Sequence, residues 1–215
     1  MKMFWQRFVA ALTPGVRVLL ILLTVIYLAS ITGKLTSLIN LSNWLAARSQ
    51  DFWHGQIWRL VTYASLPMGA IDFALNAFAL ILLGAQLERH WTRGELWLFC
   101  VIAAAGAGFA QILFASTSPT GAAPVMFALL IAWAFVCGHE TLNFPVLGQM
   151  RVQPAVFVFA AVSLGITFIT TGLLRTFIMA SGGLTGWLYL WLRHKWLMTR
   201  ASRAVQSERI TRLEL

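Results

Sequence analysis

Charge is the scarcest property of this 215-residue chain: Asp, Glu, Lys and Arg together make up 11% of it. Soluble globular domains carry roughly 25%, so one water-facing fold around a single core is excluded. Acidic residues are the rarest, seven against sixteen basic ones, for a net charge of +9. Between Leu96 and Gly138 there is no Asp, Glu, Lys or Arg at all, which leaves room for two membrane spans of ~20 residues with a turn between them. Cysteine is nearly missing too. Cys100 and Cys137 both lie in apolar stretches, so they form no disulfide framework and read as small apolar side chains.

What the chain has instead is hydrophobicity, 59% by composition with a mean hydropathy of +0.76. Dividing it at its charges and turn residues predicts six hydrophobic segments, near 16–33, 68–87, 96–116, 121–138, 153–171 and 175–192. The expected fold class is an all-α polytopic membrane protein, with residues 1–15 as an N-terminal segment, 16–192 as the membrane domain and 193–215 as a basic tail. The first segment, preceded by Lys2, Arg7 and Arg17, has signal-peptide features. Five further spans follow it, so it reads as an uncleaved span. The basic residues divide twelve to four between alternate sides of this layout, with only Lys34, Arg48, Arg59 and Arg175 on the minority side. Basic residues are retained on the cytoplasmic side, so both termini are expected there. The positive charge then reports orientation and contact with the lipid bilayer. Nucleic acid is not an expected partner, because such binders gather their charge on one polar face.

The longest connection, about 34–65, contains Trp44, Phe52, Trp53, Trp58 and Tyr63. Such a segment belongs in the membrane interface, where an aromatic ring bridges apolar and polar layers. Trp187, Trp191 and Trp196 suit the opposite interface.

At Gly55-Gln56-Ile57-Trp58-Arg59-Leu60-Val61-Thr62 the chain resembles the outer loop of the rhomboid family of intramembrane serine proteases, whose Trp-Arg pair precedes the second span. Asn76 in the second span, Gly84 and Leu87-Glu88 at its end, Gly121-Ala122 opening the fourth, and Gly182 with Gly186 as a GxxxG in the sixth agree in order and spacing. The resemblance covers roughly residues 16–192 and implies a six-transmembrane-helix rhomboid-like bundle. GxxxG alone is common in membrane helices; the ordered set carries the likeness.

The family's catalytic serine sits in a GxSG motif, which falls here on Gly121-Ala122-Ala123-Pro124, so the serine position is Ala123. Its histidine lies three residues before the first glycine of GxxxG, which here is Met179. A serine hydroxyl needs a nearby base, and neither partner is present at these positions. Two family histidines near the second span correspond to Pro67 and Asp72, while Asn76 matches the oxyanion asparagine. The resemblance therefore implies an inactive member that, like derlins, binds transmembrane segments of client proteins and regulates their stability, trafficking or degradation. Client access is expected between the second and fifth helices. The alternative is a serine protease with a displaced nucleophile such as Ser116, Ser118 or Ser181. The histidines, His54, His90, His139 and His194, all fall in loops or at span ends, away from any mid-membrane serine.

Asp72 is the one acidic residue expected in a span or at its outer edge. A mid-helix carboxylate costs about 2.5–3.5 kcal/mol to insert, so it calls for a partner or a function. It could cap the helix start, bond Asn76 one turn on, or serve as an ion or proton site. Glu88 matches a glutamate that ties the inner helix ends together in the family, with Arg89 or Arg93 near it. His139-Glu140 is not followed by a histidine at HExxH spacing, and neither metal nor cofactor is expected. Beyond Arg193 the tail alternates charge and suits an anionic lipid surface or a partner. A short sixth span, about Arg175 to Leu192, is expected to mismatch the bilayer. Compact loops and the lack of a targeting presequence point to a bacterial inner membrane.

Overall fold

The computed structural model describes residues 13–36, 44–47, 49–66, 68–114, 121–144 and 148–213. Pro14, with its fixed φ and no N–H to satisfy, opens helix α1 (Pro14–Thr36). Two short helices follow, α2 (Ser49–Trp53) and α3 (Arg59–Thr62), and a 3-10 turn, Tyr63–Ser65, ends the loop. The second long segment, Ala70–His90, is built of α4 (Ala70–Ala79), a π-helical turn (Leu80–Gly84) and α5 (Ala85–His90). Helix α6 (Arg93–Phe114) and helix α7 (Ala123–Val136) follow. An antiparallel hairpin of β1 (Thr141–Phe144) and β2 (Gly148–Arg151) then leads into α8 (Val152–Thr171) and α9 (Leu173–Leu213).

The protein is an all-α polytopic membrane protein. Among the described residues, four helical segments, Pro14–Gly33, Ala70–His90, Arg93–Phe114 and Val152–Thr171, are long and apolar enough to cross a bilayer. Their hydrophobicity is turned outward: Ile71, Phe159 and Ile169 are among many large apolar side chains left exposed, as expected when lipid is the solvent. The six hydrophobic segments read from the sequence each carry a helix, with the fourth and sixth differing in length from expectation. Helix α9, 41 residues in all, continues unbroken past Leu192 to Leu213. The short helix is instead α7, at 14 residues. At 1.5 Å per residue it spans about 21 Å, against a hydrocarbon thickness of ≈ 30 Å. The break between α8 and α9 falls at Gly172, whose φ of 86° suits a residue without Cβ. Its N–H closes the end of α8 on the Phe168 carbonyl at 3.0 Å.

The core lies where α1, the second segment, α6, α7 and the start of α8 converge, around Val16, Leu87, Leu96, Phe99, Leu129 and Val152. Helix α9 joins it by close backbone approach. A Cβ on Gly106 of α6 would meet the Thr185 side chain at 2.1 Å, and one on Gly186 would meet Ala128 and Phe99 at 3.0 Å. At the end of the bundle holding Glu95, Arg193 pairs with that carboxylate and lies over the Trp91 ring. Lys195 and Arg200 sit 3.8 Å above Trp191 and Trp196, cation–π pairs that suit a membrane boundary.

Candidate functional site

The aromatic loop is held by one buried cation. Arg59, 5% exposed, donates from Nη1 to the Ala46 carbonyl at 3.0 Å and from Nε to Gln56 Oε1 at 2.6 Å. It also pairs with Asp51 at 2.9 Å. Charge-assisted bonds in a partly desolvated site are strong, so Arg59 gathers both halves of the loop around itself. Trp58 beside it is exposed. The loop packs on α6 through Tyr63, which is fully buried and donates to the Ala104 carbonyl at 3.1 Å. Gln111 of α6 donates to the Ala47 carbonyl at 3.4 Å.

Glu88 lies at the other end of the bundle, buried in α5. It accepts bonds from the backbone N–H groups of Gly15 and Val16 at 2.8 and 2.9 Å, and from the Thr13 hydroxyl. The carboxylate thus satisfies otherwise unpaired N–H groups at the N-terminus of α1, where the helix dipole also favours negative charge. Arg93 is 3.8 Å away. The family resemblance implies a polar tie at Glu88 with an arginine near it; the capped helix end is not legible in the sequence, because cap and helix are more than seventy residues apart.

The residues expected around a catalytic centre fall around α7, which meets both α4 and α9. Gly121 turns the chain into α7 with φ 64°, a left-handed conformation that favours glycine. Ala123 starts the helix, followed by Pro124 in its first turn. Gly182 of α9 lies against that turn, so close that a Cβ there would stand 2.6 Å from the Pro124 carbonyl oxygen. Met179, one turn earlier on α9, takes a hydrogen bond from the Thr167 hydroxyl of α8 to its sulfur, 3.5 Å long. Ala123 offers no nucleophilic atom and the Met179 thioether no base.

Asp72 and Asn76 stand on the neighbouring α4. Asp72 accepts the Met68 N–H at 2.9 Å, which ties the loop to the start of α4. Asn76 is 4% exposed, and its amide nitrogen is buried without a hydrogen-bond partner among the described residues. No bond joins the two. Beside Ala122 a cavity of about 190 Å³ opens between α1, the 3-10 turn, α6 and α7, lined by groups such as Leu23, Trp97, Val101 and Val125. Such a lining can hold an apolar group.

Ser181 donates to the Ile178 carbonyl at 2.7 Å, a local bond of the kind that occupies helical serines. Ser116, Ser118 and Pro67 lie outside the described residues. All four histidines are exposed, and none is hydrogen-bonded to a serine among the described residues; His54 meets the Gln50 carbonyl at 2.7 Å and His90 that of Gln86 at 3.1 Å.

The profile of a family described as eukaryotic integral membrane protein (DUF1751) matches residues 17–202. Rhomboid protease GlpG of Photorhabdus laumondii subsp. laumondii is 28% identical over 137 residues, 63% of this chain and 46% of that protein. Rhomboid protease GlpG of Serratia proteamaculans is 31% identical over 119 residues, 55% of this chain and 41% of that protein. The match therefore spans less than half the length of these curated relatives.

Proposed function

Because the chain belongs to the integral membrane protein family DUF1751, and with it to the rhomboid superfamily, we propose that it is a catalytically inactive member that binds transmembrane segments of client proteins and regulates their stability, trafficking or degradation. The observation that carries this most is the α7–α9 contact. At the positions that the motif resemblance assigns to serine and histidine stand Ala123 and Met179, and a close contact of Gly182 against Pro124 joins the helices there. Asn76 fits a vestige of the oxyanion site, a buried amide donor with no acyl oxygen to stabilise.

Client access would lie between the second and fifth crossing helices. Both are lightly embedded, with 28% and 17% of their apolar windows buried, as is α1 at 17%, against 50% for α6. Phe78 on the second and Phe157 on the fifth are exposed, and in lipid such apolar side chains associate by packing. The short α7 supports a local thinning of the bilayer beside the site. In this scheme residues 16–192 form the membrane domain, both termini face the cytoplasm, and the basic tail from Arg193 meets anionic lipid. The relatives quoted are bacterial, which supports a bacterial inner membrane, while the family description names eukaryotes. Photo-crosslinkers at Phe78 and Phe157, in native membranes with mass spectrometry, are expected to trap transmembrane segments of other proteins. Capture of lipid alone would overturn the client-binding role.

A further inference from the structure

His90 ends α5, at the same end of the bundle as Glu88, and faces the turn that follows α7. That turn is Cys137-Gly138-His139-Glu140, closed by the Glu140 N–H on the Cys137 carbonyl at 3.0 Å. Its far side is pinned by the Val152 N–H on the Glu140 carbonyl at 2.9 Å. One ring nitrogen of His90, the sulfur of Cys137 and a carboxylate oxygen of Glu140 all lie within 4.8 Å of one another. Nδ1 is 3.7 Å from Sγ, and Nε2 is 4.0 Å from Oε1.

We propose that His90, Cys137 and Glu140 form a divalent transition-metal site, suited best to zinc. Zinc takes thiolate sulfur at ≈ 2.3 Å and imidazole nitrogen at ≈ 2.0–2.1 Å in tetrahedral geometry, which puts two such ligands about 3.5 Å apart. The Nδ1–Sγ separation is already close to that. Metal on Nδ1 would replace its contact with the Gln86 carbonyl, 3.1 Å away. The Glu140 side chain is half exposed and free to swing inward. Mixed sulfur, nitrogen and oxygen donors match borderline-soft zinc better than magnesium or calcium. Binding releases the thiol proton to solvent; thiolate and carboxylate then balance the two positive charges, and water or a partner side chain takes the fourth position. The spacing Cys-x-x-Glu across a closed turn also brings two ligands together as the turns of zinc knuckles do.

The sequence alone suggests no metal, since the only motif at hand, His139-Glu140, lacks its second histidine. The site is assembled from the ends of two helices and the base of a hairpin. A metal there would clip the second crossing segment to the α7–α8 connection, independently of any client.

The test is a titration of the purified, chelator-stripped full chain with Co²⁺, followed by Zn²⁺ competition. A thiolate-to-cobalt absorption band in the near ultraviolet is expected to saturate at one equivalent, to disappear on Zn²⁺ addition, and to persist in Cys100→Ser. It should be absent from Cys137→Ser and weakened by about tenfold or more in affinity in His90→Ala and Glu140→Gln. His90 and Glu140 are exposed, so the latter two variants keep the test decisive even if Cys137→Ser fails to fold. Absence of the band in the unaltered chain, or its survival undiminished in His90→Ala and Glu140→Gln, would overturn the site.

Discussion

Gly182→Ala adds one methyl group at the α7–α9 seam, and the structure says what it would meet. The new Cβ would lie 2.6 Å from the Pro124 carbonyl oxygen, 2.8 Å from its Cβ and 2.9 Å from its carbonyl carbon. Non-bonded carbons rest at ≈ 3.5–4.0 Å, so the helices must part by about 0.7 Å or more. Two of the three obstructing atoms are backbone and the third belongs to a proline ring, none of which can rotate away. Overpacking of this kind costs typically 1–3 kcal/mol, and the upper half of that range is expected here. Gly186→Ala meets Ala128 and Phe99 side-chain atoms at 3.0 Å, where a few tenths of an ångström suffice, so it should cost about 1 kcal/mol or less. Gly186→Leu cannot be absorbed that way and should destabilise strongly. Gly165→Ala on exposed α8 meets nothing within 4 Å, and should be neutral or slightly stabilising because alanine is the better helix former. Thermal unfolding in detergent would rank the four variants. A Gly182→Ala protein as stable as Gly165→Ala would refute the seam.

Glu88→Ala leaves the N–H groups of Gly15 and Val16 without their acceptor; at about 1–3 kcal/mol for each buried donor, the fold should lose several degrees in melting temperature, and a melting curve unchanged from the parent would contradict the cap. Arg59→Ala should loosen the aromatic loop while sparing the helical core, seen as faster limited proteolysis between residues 44 and 62; unchanged cleavage would show that Asp51 and the Ala46 carbonyl do not depend on it. Asp72→Asn keeps an acceptor for the Met68 N–H and should cost little, whereas Asp72→Ala should cost about 1 kcal/mol, the net worth of a single hydrogen bond. Ion flux in proteoliposomes that vanished in Asp72→Asn would instead make Asp72 a transport residue.

The sequence made the membrane helices legible because lipid-facing segments leave a long-range deficit of charge, visible without any partner. Trp58-Arg59 is placed in the loop by the family resemblance, whereas the burial of Arg59 among the Ala46 carbonyl, Gln56 and Asp51 is seen only in the structure. What stayed hidden was anything made by residues distant in sequence or by helix geometry. The π turn at Leu80–Gly84 has no compositional mark, and α9 runs past Leu192 because its polar continuation remains helix-forming after leaving the apolar zone. Sequence leaves Asp72 three possible roles; in the structure its bond goes to the Met68 N–H in the preceding loop rather than to Asn76. By sequence His90 is one of the histidines in loops or at span ends and Cys137 a small apolar side chain; only folding brings them within 3.7 Å.

The central claim is that the rhomboid scaffold here carries no serine chemistry. A fluorophosphonate probe applied to the full chain in native membranes tests it most directly, since such probes label any serine activated by a base. The account predicts no labelling above that of heat-denatured protein. Specific labelling abolished by substitution of a single serine, at Ser116, Ser118 or Ser181, would contradict it.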